Sequence, residues 1–447
     1  MFKLSLSGLA FYVGILSSFA QNIYQRDSSY KSRPLRLEEV NIVSSYYSQN
    51  GNHSAVTGGI GSERLTDQSN VFELKIIKPG FAGKNHHFTL GLGYDTYSSA
   101  SSDKIDTATT WSGQNQPGTV TRPHRSDDDD HDRNGISGAS TNHTRVSIFD
   151  GKTITSASFQ DSRIYPSLGW SLENTRSGLT IGAGLSYSTE YDYSSKGASF
   201  LISKSSKNKN SEFGLNLNAF FDTWLVIYPA ELRPAGYAYG SEDDKENLTR
   251  SPRNTYSAGF TWNQVINKKL QVGLMLEPSF QEGLLGTTYQ RVFFENGTVQ
   301  SELLPSQRLK IPIGVRASLF LGDHIVLRPY YRYYQDSWNL KAHTFNLEAA
   351  VKAGPTLTFI PFYRYYKQNG LPYFAPYKTH QAGDPFYTSD FDLSSLTSQQ
   401  FGLGIRIVPK NGVLGFNPFK SAEIRFAHYD RSTDLKSNIL TLALTFK

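Results

Sequence analysis

The sequence predicts an all-β fold, a closed antiparallel transmembrane β-barrel of about 16 strands with long extracellular loops and short periplasmic turns. Three observations predict it: segments of about ten residues that alternate apolar and polar side chains, connections that sort by length, and a composition that is polar on average yet aromatic-rich. The 447 residues include 27 Tyr, 28 Phe and 37 Gly; 38% are hydrophobic and the mean hydropathy is -0.43. After residue 20 no run approaches the roughly 18–20 apolar residues of a membrane-crossing helix, which excludes a helical bundle. Zero cysteine excludes a disulfide framework, a thiolate metal or iron–sulfur site, a thiol nucleophile and an acylated lipoprotein cysteine. The net charge of +6 is small for this length and does not argue for nucleic acid.

Taken in order, residues 1–20 read as a signal peptide. Met1-Phe2-Lys3 is a short basic start, Leu4 to Phe19 is apolar, and Ser18-Phe19-Ala20 puts small residues where signal peptidase cuts, before Gln21. Residues 21–447 form the barrel. Its strand segments fall at 38–48, 68–78, 86–97, 155–175, 178–193, 196–206, 211–226, 255–266, 269–281, 307–320, 323–336, 338–352, 354–368, 396–408, 419–431 and 434–446. An even count lets both ends of the chain lie on the same side of the membrane. Tight turns at 173–178, 267–269, 321–323 and 352–355 alternate with long polar connections at 49–67, 98–154, 227–254, 282–306 and 369–395. Pro355 and Pro361 near the start of one segment are awkward for a central strand, because proline donates no ladder hydrogen bond.

Period two separates the faces. Leu440, Leu442, Leu444 and Phe446 share one side of the last segment; Ile325, Leu327, Tyr331 and Tyr333 share one side of another. Tyr331, Tyr333, Tyr363 and Tyr365 at the loop end, with Trp170 and Trp262 at the turn end, suit two interfacial aromatic girdles in outer-membrane lipid. The opposite face carries Arg308, Arg316, Arg328, Arg332, Arg364, Arg406, Arg425, Glu73, Glu277, Glu348 and Glu423. Burying each of these unpaired costs several kcal/mol, so they call for a wet lumen rather than a packed core. A water-soluble sandwich or propeller shares the alternation, but does not require the final Phe446 or the sorting of turns.

Residues 98–154 form a long polar acidic loop. Asp128, Asp130, His131 and Asp132 are candidate ligands for weak divalent cation binding, since carboxylates suit calcium and imidazole suits transition metals. Asp130 to Gly135 reproduces the start of a calcium loop, but Thr141 stands where its bidentate acid belongs. A solvated acidic run is the simpler reading. For catalysis, His428 and Asn438 face each other on neighbouring segments without a serine on the same face, so no enzyme is expected and no cofactor is implied.

Residues 54–61 (SAVTGGIG), 99–106 (SASSDKID), 163–167 (RIYPS), 188–193 (STEYDY), 221–224 (FDTW), 264–268 (QVINK), 373–377 (YFAPY) and 386–390 (FYTSD) resemble an uncharacterised family, a domain of unknown function, of predicted outer-membrane β-barrel proteins. The resemblance spans nearly the whole mature chain. It implies export and a barrel but no reaction. Its association with thioredoxin-like proteins, flavin-attaching enzymes and small lipoproteins implies a periplasmic or lipoprotein partner in an envelope redox or metal-handling system. On their own chemistry, the glycines of 54–67 allow that segment to fold inward as a constriction or to cap the first hairpin, with the cap favoured. The aromatic stretch 373–377 should pack on the mouth or bind a partner.

The function expected is a porin-like channel with a charged lumen. Inward Arg outnumber inward Glu, which favours anions, while Phe320, Tyr330, Tyr334, Phe362 and Tyr366 narrow the path. A platform binding an envelope partner or metal ion is the alternative, and a barrel hydrolase the third.

Overall fold

The computed structural model describes residues 34–98, 160–233 and 248–447. Alternation dictates strands almost throughout: β1 Arg36–Asn50, β2 Leu65–Pro79, β3 Lys84–Ser98, β4 Gln160–Asn174, β5 Leu179–Thr189, β6 Tyr193–Ser205, β7 Ser211–Leu225, β8 Arg250–Asn267, β9 Leu270–Leu276 and β10 Ser279–Gly283. There follow β11 Arg291–Phe293, β12 Val299–Ser301, β13 Gln307–Leu321, β14 Ile325–Asp336, β15 Lys341–Lys352, β16 Leu357–Gln368, β17 Leu396–Ile407, β18 Phe419–Arg431 and β19 Leu435–Phe446.

β11 and β12 are a small hairpin inside a loop. The others form one antiparallel sheet in sequence order, closed by β1 against β19 from Val40↔Phe446 to Asn50↔Lys436. β9 and β10 both lie between β8 and β13 and count as one strand, so the barrel has 16. Their break falls at Glu277-Pro278, where proline has no N–H to donate. Pro361 acts the same way. It sits inside β16, and the β15–β16 ladder runs to Glu348↔Phe362 and resumes only at Val351↔Phe359. Each of the sixteen predicted segments coincides with a strand, the predicted 155–175 being described from Gln160 onward.

One side of the sheet is apolar and exposed on nearly every strand. Leu168, Leu185, Phe213, Phe260, Ile313, Phe345, Leu403, Phe426 and Leu440 are all solvent-accessible, Leu185 at 64%. So much exposed apolar area on a monomer marks a membrane surface. The predicted girdle residues Tyr331, Tyr363 and Trp170 belong to this exposed side.

Long and short connections sort by end, with departures. The turn end carries 80–83, 175–178, 206–210, 268–269, 322–324 and 353–356, but also the eleven-residue 408–418. The loop end carries 51–64, 284–306 and 369–395, but also the short 190–192, 337–340 and 432–434. The buried apolar clusters belong to the loop end. Leu304, Trp338, Leu340, Ala342 and Leu371 form one, and Val292, Phe294 and Tyr387 another.

Candidate functional site

The wall opposite the apolar face carries the predicted charges, and five of them join in one chain. Arg328 Nη1 lies 2.7 Å from Glu348 Oε1, and Arg425 Nη1 lies 2.9 Å from Glu348 Oε2. Arg425 Nε also donates to Glu423, whose other oxygen lies 3.9 Å from Arg406 Nε. Arg425 is on β18 and Glu348 on β15, with β16 and β17 between them. That is three interstrand spacings, about 14 Å on a flat sheet, and two side chains close it only where the sheet curves toward them. The contact therefore lies on the concave side. Arg316 reaches over β9 in the same way, donating to Asn263 Oδ1 at 2.8 Å.

The remaining predicted charges are not drawn in. Arg332 and Arg364 have no hydrogen bond or ion pair among the described residues, and Arg332 Nε is buried without an acceptor. Glu277, at the strand break, joins none of these pairs. Arg308 pairs instead with Asp336 near the loop end, its Nε 2.9 Å from Oδ2, and stacks on Trp338. Glu73 pairs with Lys75 at 2.9 Å. Two cavities lie along this face. One of about 500 Å³ is lined by Arg316, Arg328, Tyr330, Asn346 and Glu348. The other, of about 450 Å³, is lined by Arg364, Tyr366, Gln400, Tyr429 and Arg431 under Glu63 and Asp392.

The loop end holds what the sequence did not reveal. Arg291 is fully buried; its Nε and Nη2 grip Glu231, and Nη1 donates to the Val56 carbonyl at 2.7 Å. Val56 belongs to the β1–β2 connection, Arg291 to the β10–β13 connection. These joints stand eight strands apart in a ring of sixteen, half the circumference. Chain from opposite sides of the barrel meets, so the loops span the mouth. Segment 54–67 thus folds inward rather than merely capping its own hairpin. Gly58 and Gly59 permit it: both have positive φ, and a Cβ would stand 2.5 Å from the Phe293 ring at Gly58 and 2.7 Å from the Ser389 carbonyl at Gly59.

The β16–β17 connection is stitched to the same bridge. Leu303 and Tyr387 exchange backbone hydrogen bonds at 3.1 and 2.8 Å, and Glu295 N–H donates to the His380 carbonyl at 2.9 Å. The aromatic stretch packs here: Phe374 on Phe391, Tyr377 on Phe293 and Tyr373 on Trp338. Buried Glu302 accepts from the Thr287 N–H at 2.6 Å and from the Thr388 hydroxyl, and burial pushes its carboxyl up to about 7. Asp390 is raised by burial and by the nearby charges of Asp392 and Glu302. Glu63 is raised by burial, with the His53 N–H opposing. An arginine flanked by Val292, Phe293 and Phe294 inside a polar connection was the one sequence signal of this bridge.

His428 Nδ1 meets Asn438 Oδ1 at 2.9 Å and its ring lies against Phe401. Asp128, Asp130, His131 and Asp132, with residues 99–154 of the predicted acidic loop, lie outside the described residues, as does the predicted signal segment 1–20. Among the described residues no three His, Asp or Glu are grouped to hold a metal.

The sequence matches the family described as "Protein of unknown function (DUF3570)" over residues 20–438. The chain belongs to this family. No curated protein matches this DUF3570 chain. Solved structures similar to it include a bacterial polysaccharide outer membrane secretin (11% identity, TM-score 0.41, covering 92% of this chain and 97% of that one). A BenF-like porin from Pseudomonas fluorescens Pf-5 follows at 9% identity and TM-score 0.39, covering 91% and 98%. A mutant ferric enterobactin receptor from Pseudomonas aeruginosa has 12% identity and TM-score 0.42, covering 88% of this chain and 53% of that one. These are distant likenesses.

Proposed function

We propose that this DUF3570 protein is an outer-membrane channel for small hydrophilic solutes whose mouth is restricted by inward-folded loops. The Arg328–Glu348–Arg425–Glu423–Arg406 chain carries the reading. A ladder of partly exposed ion pairs on the concave wall is stable in water and costly in a dry core. The apolar outer face supports a lipid environment, and the signal segment supports export, with the long loops outward. The bridged mouth supports narrow or intermittent passage rather than a general pore.

Planar-bilayer recording of refolded protein tests it, with folding checked by heat-modifiable gel migration. Wild type should give small single-channel steps, and replacing residues 52–62 by a short turn should enlarge them several-fold. If both folded proteins stay silent, the channel reading falls. A second reading, a loop platform for a surface-exposed lipoprotein partner, draws on the aromatic packing of 373–377 and is tested by crosslinking in cells.

A further inference from the structure

The two cavities of the concave wall differ in how their arginines are engaged. Beside the first, Arg328 pairs with Glu348 and Arg316 donates to Asn263. The second is lined by two arginines and two carboxylates, Glu63 and Asp392, but both carboxylates sit toward Arg431 and leave Arg364 without a partner. Arg364 is exposed and has no hydrogen bond or ion pair among the described residues. Arg431, also lining this cavity, is 6% exposed. One of its nitrogens donates to Asp392, but Nε and Nη2 find no hydrogen-bond acceptor, and Nη2 stands 3.9 Å from Glu63 Oε1. Buried N–H groups without acceptors are costly, and charged ones more so. Arg332, unpaired on β14, is within electrostatic reach of Tyr366 together with Arg364.

The other walls are organic in character. Tyr366, Tyr429, Leu435 and Ile439 line the same space. Rings and aliphatic carbons give nothing to a bare inorganic ion, but they suit the body of a molecule whose acidic end meets guanidinium. A volume of about 450 Å³ is the size of a small-molecule site. Planar guanidinium matches planar carboxylate bidentately.

We propose that this cavity, under the loop bridge and beside Arg364, is a binding station for a small organic carboxylate. This rests on the reading of the lumen as a solute path and names the class of solute. The acid end pairs with Arg364, and Arg431 donates its spare N–H groups to it. Glu63 and Asp392, held by the loops, roof the station.

The test is calorimetric titration of benzoate into the full-length protein refolded in detergent, against chloride at equal ionic strength. Saturable binding at one site per chain is expected. Arg364→Gln should weaken it about tenfold or more, since a charge-assisted pair is lost. Arg364→Lys should keep part of the affinity. Arg176→Gln, in the β4–β5 turn, should leave it unchanged. No saturable benzoate binding by heat-modifiable, folded protein would overturn the station, as would wild-type affinity in Arg364→Gln. Bilayer recording separates this from the channel reading: benzoate binding with a silent bilayer supports the station and removes the channel, whereas steps without benzoate binding overturn the station alone.

Discussion

The wall and the mouth of this barrel are held together by different physics. The wall has backbone ladders, an outer face suited to lipid and an inner face of partly exposed charges; the large apolar clusters sit above it. The mouth is built like a small water-soluble domain, with Val292, Phe294 and Tyr387 packed together and Arg291 buried at a three-loop junction. Ladder hydrogen bonds are shared by every residue, so one wall substitution removes little. A junction that rests on a few buried groups concentrates its stability in them. The same chain thus pairs a forgiving cylinder with a brittle lid.

Breaking the lid at Arg291 should have the largest effect. Arg291→Ala leaves Glu231 and the Val56 carbonyl without their shared donor, and losing one partner of a buried pair costs about 3–5 kcal/mol. Proteinase K, which cuts after aliphatic and aromatic residues, should then cut 51–64 and 284–306 rapidly while the heat-modifiable barrel persists. If the barrel melts together with its loops, the separation of the two regions is wrong.

Acidity comes next. Glu302 is raised from 4.5 to about 7 in the closed bridge, so the closed form holds a proton that an opened, hydrated form gives up. Stability from this source is complete below about pH 4.5, falls as pH rises to about 7 and is level above, a span of about 3 kcal/mol. Hydrogen-exchange protection in 284–306, taken relative to the base-catalysed intrinsic rate, should be lower at pH 8 than at pH 5, and Glu302→Gln should flatten the difference. A bridge that loosens toward acid would contradict this assignment. Gly58→Ala should cost about 1–2 kcal/mol from its positive φ, before the collision with Phe293 is added. Proteolysis of 51–64 would register that intermediate loss.

The wall should give the smallest response. Glu348→Gln leaves Arg328 without its ion pair and Arg425 with Glu423 alone, yet partly exposed pairs of this kind are worth about 0–1 kcal/mol, so thermal unfolding should barely move. What should move is the reversal potential in a salt gradient, toward anions, because a fixed negative charge has gone. A large fall in stability here would show that the wall depends on its ion pairs.

This contrast also explains what the sequence made legible. Alternation is a local, repeated signal, so all sixteen wall segments could be read from it, and the errors fall where one residue overrides the pattern. The segment 178–193 stops at Thr189 because Glu190 to Asp192 turn, and 269–281 breaks at Pro278. A set of charges opposite the apolar face was suggested too, by period two. Its partnerships were not, because Arg425 finds Glu348 across two intervening strands, a relation of curvature rather than spacing. The mouth was least legible: Arg291 meets Glu231, Glu302 meets Thr388 and Arg431 meets Asp392 through connections of irregular backbone, which leave no period to detect.

The seam between β1 and β19 sets the order of assembly. Ser45 and Thr441 share a hydrogen bond of 3.0 Å across 396 positions of chain. Few contacts have higher contact order, and such pairings form late. Until the last strand arrives, the growing sheet has two raw edges, both ready templates for the wrong partner. A chain shortened by its final strand keeps both edges open and should aggregate rather than insert.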